Sequence, residues 1–315
     1  MTDLKKKIII TGASGLVGLN LINELVGEQY ENIVAIDKNE HNLSIINKLY
    51  PKVKTVSADL SQSGAWGDNF KDGEVLYLLQ AQITGLYWEE FEKNTIDSTK
   101  RVLAKAKEYN IPFTVFTGSS VVKSIKEDNY SKSKKLQEEL MIESKLPGCI
   151  LRPTLMFGWF DPKHLGWLSR FMKKTPVFPI PGDGQYLRQP LYVRDFCKAL
   201  IWCSVNKPIR KIYNLTGAEE ISYIDIIKTI KTIKNYKTII LKIPLSVFRF
   251  LLKTYAIFSK KPPFVSDQLD SLIVGDHFSG VSFKGEFGFE PTPFKDAMVE
   301  TLTTEPYCSI VMERT

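Results

Sequence analysis

Short runs of apolar residues alternate with segments of helical length through the first half of the chain. The apolar runs lie near residues 8–11, 33–36, 53–56, 75–79, 114–117 and 149–152, are rich in Ile, Val and Leu, and are bounded by turn residues. Segments of helical length, such as 15–26 and 88–109, lie between them. Buried strands that alternate with helices are typical of a parallel sheet covered by helices on both faces. We therefore predict an α/β fold with a doubly wound parallel sheet.

The pattern changes after Arg152. Glycine and proline become frequent between residues 176 and 190, and a helical pattern begins near Ser222. Ser222 and Asp225 have the spacing of a capping box, which predicts the start of a helix. No long linker or low-complexity tract divides the chain. We predict one domain over 1–152 and a smaller α/β part over 153–315, segments of which return to the first sheet.

A glycine-rich turn follows the first predicted strand directly and opens the first predicted helix. Its sequence is Thr-Gly-Ala-Ser-Gly-Leu-Val-Gly, with glycines at positions 12, 15 and 18. In this context the glycines permit a tight turn, approach of a pyrophosphate to the backbone, and close packing of helix and strand. The helix N-terminus offers unpaired N–H groups and a positive dipole end to the phosphates. The turn predicts a dinucleotide site, whose candidate residues are Gly12, Ser14, Gly15, Leu16, Val17 and Gly18.

The second predicted strand ends at Asp37, which lies 19 residues after Gly18. A carboxylate at this distance accepts hydrogen bonds from both hydroxyls of the adenosine ribose and repels a 2′-phosphate. Asp37 therefore favours NAD over NADP, and the neighbouring Lys38 weakens that preference without reversing it. The alternative is a packing turn that binds no nucleotide.

Tyr130 and Lys134 are four residues apart in a predicted helix, so their side chains share one face. A tyrosine with an ordinary pKa of about 10 is a poor acid or base at neutral pH. We expect the Lys134 ammonium and a positive nicotinamide to lower the pKa of Tyr130. Ser119 follows a strand whose carboxyl end faces the crevice where doubly wound sheets bind ligands. Ser119, Tyr130 and Lys134 are therefore candidate catalytic residues for proton transfer during hydride transfer.

These motifs resemble those of the extended short-chain dehydrogenase/reductase superfamily, and within it the NAD-dependent epimerase/dehydratase group that acts on nucleotide sugars. Further matching pieces are residues 58–60, 80–82, Asn94, 117–120, Glu138, 151–153, 182–184 with Arg188, 192–195, 213–217 and 287–291. The resemblance implies that 1–152 is an NAD-binding Rossmann domain and that 153–315 mainly binds the substrate. It also implies a homodimer formed through the helix that carries Tyr130.

The resemblance assigns further residues to the cofactor and the substrate. Asp59 and Leu60 would flank the adenine, Gln80, Ala81 and Gln82 the riboses, Lys134 the nicotinamide ribose, and Pro153 the nicotinamide. The substrate would contact Ser119, Ser120, Tyr130 and Arg188. A guanidinium fork suits bidentate contacts with a substrate diphosphate; the alternative is that Arg188 belongs to an ordinary surface loop.

Two departures from the family pattern bear on the substrate. Only ten residues separate Ser119 from Tyr130, where sugar-nucleotide relatives carry a longer insertion. Leu155 stands where an Asn usually helps to bind the sugar nucleotide. The acidic pair of the dehydratases is replaced by Ser120 and Val121, so we do not expect elimination of water.

The sequence leads to three alternative hypotheses for the function of the chain. The leading hypothesis is an enzyme that epimerises a nucleotide sugar at C4 by oxidation, rotation and re-reduction. The alternative is an NAD(H)-dependent ketoreductase or alcohol dehydrogenase that acts on a keto-sugar or a sterol-like alcohol. The third is a dinucleotide-binding subunit that has lost turnover.

Composition and charge restrict the partners and the location. The chain of 315 residues has 42 Lys and Arg against 35 Asp and Glu, a net charge of +7 that indicates either an anionic partner or a surface with many solvated lysines. Its basic residues form no motif typical of nucleic-acid binding, so we expect no nucleic-acid partner. Four scattered cysteines and three histidines predict no metal site and reduced thiols. Together with the lack of a signal-peptide pattern, they predict a cytoplasmic protein.

Residues 243–263 interleave bulky apolar residues with lysine and arginine. This pattern is typical of a helix that lies in a membrane interface. The alternative is a helix that packs over the substrate site with its cations in water. No uninterrupted apolar run reaches the roughly 18 residues that a membrane-spanning helix needs.

Overall fold

The computed structural model describes residues 4–123, 128–258, 269 and 279–313. Its central sheet contains β1 (Ile8–Thr11), β2 (Ile33–Asp37), β3 (Lys54–Ser57), β4 (Val75–Leu78), β5 (Phe113–Thr117), β6 (Gly148–Pro153) and β11 (Ile212–Leu215). The strand order is β11-β6-β5-β4-β1-β2-β3, and every neighbouring pair is parallel. The predicted parallel sheet is confirmed, and β1 to β6 begin and end within one residue of the predicted runs.

Helices cover both faces of this sheet, because alternate side chains of each strand point to opposite sides. The helices in the first half are α1 (Leu16–Gly27), α2 (Glu40–Leu49), α3 (Trp88–Phe91), α4 (Ser98–Glu108) and α5 (Asn129–Ser144). In β1, Ile8 and Ile10 pack in one core with Leu21 of α1. Ile9 between them packs in a second core with Val102 of α4. This alternation produces the doubly wound arrangement.

The helix predicted over 88–109 has a widened turn in its middle. Residues Glu92–Asp97 form a π-helical segment that joins α3 to α4 without a break. A π-helical turn holds more residues than an α-helical turn, and such segments are frequent at functional sites.

The second half of the chain forms small sheets and helices with a core of their own. Its strands are β7 (Met156–Phe157), β8 (Val177–Pro181), β9 (Leu187–Arg188), β10 (Leu191–Tyr192), β12 (Ile221–Ser222) and β13 (Ile239–Ile243). Its helices are α6 (Leu165–Lys174), α7 (Val193–Asn206), α8 (Tyr223–Ile233), α9 (Leu245–Phe258), α10 (Phe283–Phe287) and α11 (Phe294–Thr303). β7 pairs with β10, β8 with β13, and β9 with β12. The Ser222 side chain accepts a hydrogen bond from the Asp225 N–H at the start of α8, as the capping pattern predicts.

The two halves are joined by an arginine that spans them. Arg194 of α7 forms ion pairs with Glu24 of α1 and with Glu300 of α11. Its guanidinium also lies 4.6 Å from the ring centroid of Trp159. Because α7 and β11 pack with the first domain while neighbouring segments belong to the second, the chain crosses between the halves more than once. The division of the chain at residue 152 stays a prediction.

Candidate active site

A cavity of about 750 Å³ opens where the parallel strands of the central sheet end. The residues predicted from the sequence for the cofactor, the substrate and catalysis all line it. They are Gly12, Ser14, Gly15, Leu16, Val17, Gly18, Asp37, Lys38, Asp59, Leu60, Gln80, Ala81, Gln82, Ser119, Ser120, Tyr130, Lys134, Pro153 and Arg188. The fold therefore brings every one of these residues to one site, and their individual roles stay predictions.

The three glycines of the first turn have different surroundings. Gly12 has a φ of +68°, and a Cβ built on it would lie 2.6 Å from the backbone nitrogen of Gln80. A Cβ on Gly18 would lie 2.3 Å from the Ala13 carbonyl oxygen, so this glycine permits close packing of α1. For a Cβ built on Gly15, the nearest atom of a non-neighbouring residue in the described part of the chain is the Gly12 carbonyl oxygen at 3.4 Å. Gly15 also begins α1 without a side-chain cap. The backbone at Gly15 is therefore open to a ligand in the cavity.

Asp37 is fixed at the end of β2 by backbone donors. Its Oδ2 accepts from the Ser14 N–H at 3.0 Å, and its Oδ1 accepts from the Asn39 N–H at 3.1 Å. The neighbouring Lys38 donates to Asn94 Oδ1 at 2.8 Å, and Asn94 donates to Gln82 Oε1 at 2.9 Å. The Lys38 ammonium is thus engaged by an amide of the π-helical segment, beside a carboxylate held by the glycine-rich turn.

The π-helical segment supplies further contacts at the rim of the cavity. Lys93 Nζ lies 3.1 Å from Asp59 Oδ2, and Thr95 Oγ1 accepts from the Gln82 N–H at 2.8 Å. Burial raises the pKa of Asp59. Hydrogen bonds from Ser61 and the Lys93 ammonium lower it by more, so the net shift is downward. Sequence reasoning missed Lys93, which does not line the cavity itself but contacts Asp59, a residue that does.

The residues that line the cavity fit the dinucleotide predicted from the sequence. Ser14 Oγ, Gln80 Nε2 and Thr117 Oγ1 are buried and have no hydrogen-bond partner among the residues that the structure describes. Buried polar groups normally have a partner, so these atoms are suited to contact a polar ligand. Together with the open backbone at Gly15 and the carboxylate of Asp37, they match the phosphates and hydroxyls of NAD.

Lys134 is buried at the base of the cavity, with 2% of its surface exposed. Its ammonium donates to the Thr117 carbonyl oxygen at 2.9 Å and to Gln137 Oε1 at 2.5 Å. The Gln137 amide donates in turn to the Gln80 carbonyl oxygen at 2.9 Å and to Thr99 Oγ1 at 2.8 Å. Gln137 therefore holds the Lys134 side chain against the loop that follows β4. Sequence reasoning missed this glutamine, although its position three residues after Lys134 places both on one helix face.

The titration properties of the tyrosine and the lysine follow from their burial. Burial lowers the pKa of Lys134 to about 7, and the Glu138 carboxylate offsets this only in part. Burial also raises the pKa of Tyr130, against the effect of a hydrogen bond from Ser119, while the Asp128 carboxylate raises it further. The direction expected from the sequence for Tyr130 was therefore wrong for the protein itself. The Lys134 ammonium bonds Thr117 and Gln137, and loss of solvent outweighs the hydrogen bond from Ser119.

An ion pair positions α5, the helix that carries Tyr130 and Lys134. Arg152 of β6 donates through Nε to Glu138 Oε2 at 3.0 Å and through a second nitrogen to the other carboxylate oxygen. A Cβ on Gly118 would lie 3.1 Å from Arg152 Cγ. Gly118 therefore leaves room for this bidentate pair between β5 and α5.

The part of the cavity assigned to the substrate is partly apolar. Val121, Leu155 and Met156 line it together with Arg188 and His164. Sequence reasoning did not find His164, because a lone histidine between segments of regular structure gives no signal.

Comparison with known proteins identifies the family of this chain. The model of the "NAD dependent epimerase/dehydratase family" matches residues 8–216. The chain belongs to this family. It is therefore an enzyme of the short-chain dehydrogenase/reductase superfamily with NAD as its cofactor.

Three similar proteins illustrate the relationship. The "Uncharacterized UDP-glucose epimerase YtcB" of Bacillus subtilis is 25% identical over 270 residues, which are 73% of this chain and 83% of the relative. The structure of a UDP-glucose 4-epimerase from Thermotoga maritima with UDP-glucose has a TM-score of 0.73 and 17% identity, covering 94% of this chain and 97% of that one. The structure of a UDP-glucuronic acid 4-epimerase from Bacillus cereus with NAD has a TM-score of 0.68 and 21% identity, covering 76% and 87%. At these identities the two structures support the fold.

Replacing Asp37 by alanine should relax the preference for NAD over NADP. A hydrogen bond to a charged group contributes about 1.5–3 kcal/mol, so the affinity for NADH should fall by roughly tenfold or more, while NADPH no longer meets a repelling carboxylate. Fluorescence titration with NADH and NADPH measures the ratio of the two dissociation constants. The matched variant Lys38→Ala should change this ratio in the opposite direction. If the ratio of the two dissociation constants were unchanged in Asp37→Ala, a group other than Asp37 would be responsible for recognising the adenosine ribose.

Replacing Gln137 by leucine should lower the pKa of Lys134 below about 7, because the buried ammonium loses an acceptor. Gln137→Glu should raise it, because a carboxylate favours the charged form. Titration of labelled lysine side chains by NMR measures the change, with Lys134→Met identifying the signal. Glu143→Gln on the exposed side of α5 serves as the control. A Lys134 titration that is the same in both Gln137 variants would contradict the positioning role.

Proposed function

We propose that this enzyme epimerises a nucleotide sugar at C4, with Ser119, Tyr130 and Lys134 as its catalytic residues. The observation that carries the proposal is that Ser119, Tyr130 and Lys134 line one cavity together with the glycine-rich turn. A proton-transfer group and a dinucleotide site in one cavity suit the oxidation and reduction of a bound alcohol.

The side chains divide the chemistry between them. NAD, when bound, supplies a hydride acceptor that also returns the hydride. Tyr130 takes the proton of the sugar hydroxyl and gives it back after the keto-sugar has rotated. Ser119 donates a hydrogen bond to the same oxygen and fixes it beside the phenol. Lys134, held by Thr117 and Gln137, adds a positive charge to the same cavity when it is protonated, which favours the phenolate form of Tyr130 against the opposing effect of burial.

The substrate class is supported by the relatives and by one cation of the cavity. Two of the similar proteins are UDP-glucose epimerases by name, and the third is a UDP-glucuronic acid 4-epimerase. Arg188 lines the cavity and has the fork geometry that suits a diphosphate. A nucleotide sugar carries both the diphosphate and the alcohol that these residues require.

A second candidate is a reductase that acts on a keto-sugar or a hydrophobic ketone and consumes NADH. It is favoured by the apolar side chains of Val121, Leu155 and Met156 in the substrate part of the cavity. Leu155 cannot hydrogen-bond a sugar hydroxyl, whereas the Asn usual at its position can.

Tyr130→Phe should reduce kcat by roughly 10²–10⁴-fold while leaving the affinity for NADH nearly unchanged, because the proton carrier is lost and the glycine-rich turn is untouched. Conversion of UDP-glucose, followed by chromatography of the nucleotide sugars, measures turnover, and fluorescence titration measures binding. Tyr109→Phe at the end of α4 is the control. Turnover retained by Tyr130→Phe would remove Tyr130 from its assigned role.

The state of the nicotinamide should separate the two candidate functions. An epimerase should retain NAD through purification and convert UDP-glucose into its C4 epimer with no net change in nicotinamide absorbance. A reductase should instead oxidise one NADH for each ketone reduced. Stoichiometric consumption of NADH would therefore overturn the epimerase proposal and support the alternative.

A further inference from the structure

Positive charge is concentrated in one stretch of the chain. Residues 226–266 contain nine Lys and Arg residues and no Asp or Glu, whereas the whole chain has 42 and 35. The remaining residues therefore hold 33 cations against 35 acids, so this stretch carries a charge of +9 and the rest of the chain a charge of −2. Such a concentration attracts an anionic partner to one side of a protein.

The same stretch exposes apolar side chains on a small sheet. The parallel pairing of β8 and β13 places Val177 beside Ile239 and Pro179 beside Leu241, on the same side of the two strands. Val177, Ile239 and Leu241 are all exposed, and Ile239 has 64% of its surface accessible. Residues of the opposite side, such as Phe178, enter the core of the second half.

Helix α9 continues the apolar surface. Val247, Phe250 and Leu251 are exposed, with 68% of Phe250 accessible, and their spacing of three and four places them on one side of the helix. Only Pro244 separates α9 from β13. A Cβ built on Gly182, directly after β8, would lie 3.4 Å from the Leu245 side chain. The start of α9 therefore lies beside the end of β8.

Exposed cations accompany these apolar side chains. Lys237 precedes β13. Lys242 lies within β13 on the side opposite Leu241, and Arg249 lies about 200° around α9 from Val247, so both flank the apolar residues; all three cations are exposed. We define the basic apolar surface by its exposed apolar residues Val177, Ile239, Leu241, Val247, Phe250 and Leu251 and by these three cations.

We propose that the basic apolar surface binds an anionic lipid membrane, with α9 lying in the interface. Bulky apolar side chains enter the boundary of the acyl chains, while lysine and arginine meet the anionic head groups. The 14 residues of α9 span about 21 Å. Among the helices within the described ranges, none is both long and apolar enough to cross a bilayer. The binding mode is therefore interfacial, and it does not depend on the chemistry proposed for Tyr130.

Charge favours a membrane over a second copy of the chain. A two-fold interface brings the same patch of both subunits together, which would oppose one acid-free cationic stretch to another. Like charges in such contact are unfavourable. The homodimer through α5 that the family resemblance implies stays a separate prediction.

Flotation of the full-length protein with vesicles tests the proposal. The protein should float with vesicles that contain phosphatidylglycerol and phosphatidylcholine, should remain behind with phosphatidylcholine alone, and should bind less at high salt. Phe250→Ser should lower the ratio of membrane-bound to free protein by about tenfold, because the variant has no aromatic ring to transfer from water into the membrane. Ile209→Ser removes a residue that is 58% exposed outside this surface and should leave binding unchanged.

Charge variants test the electrostatic part separately. Lys242→Gln and Arg249→Gln should each weaken binding to anionic vesicles, whereas Lys107→Gln on α4 should not. Unchanged affinity for NADH and an unchanged circular dichroism spectrum verify that each variant is folded. Absence of flotation, equal flotation with neutral vesicles, or full binding by Phe250→Ser would each overturn the proposal. So would a dimer in solution that Phe250→Ser dissociates, because the surface would then be an interface between copies.

Discussion

The site depends on how the protein accommodates one buried ammonium. A cation without solvent must find acceptors within the protein, and Lys134 finds them in the Thr117 carbonyl of β5 and the amide of Gln137. That amide is held by the backbone of Gln80 and by Thr99 of α4. One charge thereby ties β5 and the loop after β4 to the helices α4 and α5. The wall assigned to the catalytic residues and the wall assigned to the cofactor riboses are positioned by the same group of contacts.

Much of the fold and the composition of the site can be predicted from local sequence. Buried parallel strands are short apolar runs, so β1 to β6 are visible in the sequence. The glycine-rich turn is also local, because the close approaches at Gly12 and Gly18 exclude other residues. The carboxyl ends of parallel strands lie at one edge of the sheet. Residues that follow several strands are consequently brought into one cavity, even though they are far apart in the sequence.

Other features depend on contacts that the sequence pattern does not contain. The apolar pattern does not single out β11, a short strand with one buried neighbour in the sheet. The pKa of Tyr130 depends on how much solvent the folded cavity removes, and a motif of two residues does not report that. Gln137 is an ordinary helix residue until its contacts with Lys134 and Gln80 are known. The spacing of the motif thus identifies the groups, whereas packing determines their charge states.

The π-helical segment has a consequence for insertions and deletions in this family member. Because its wide turn accommodates a surplus residue, loss of one residue between 95 and 97 would let the helix return to regular winding. The residues before the lost position would then rotate by about 100° relative to α4. Lys93 and Asn94 would leave Asp59 and Gln82 together. The length of this stretch is therefore under a stricter constraint than its amino-acid composition.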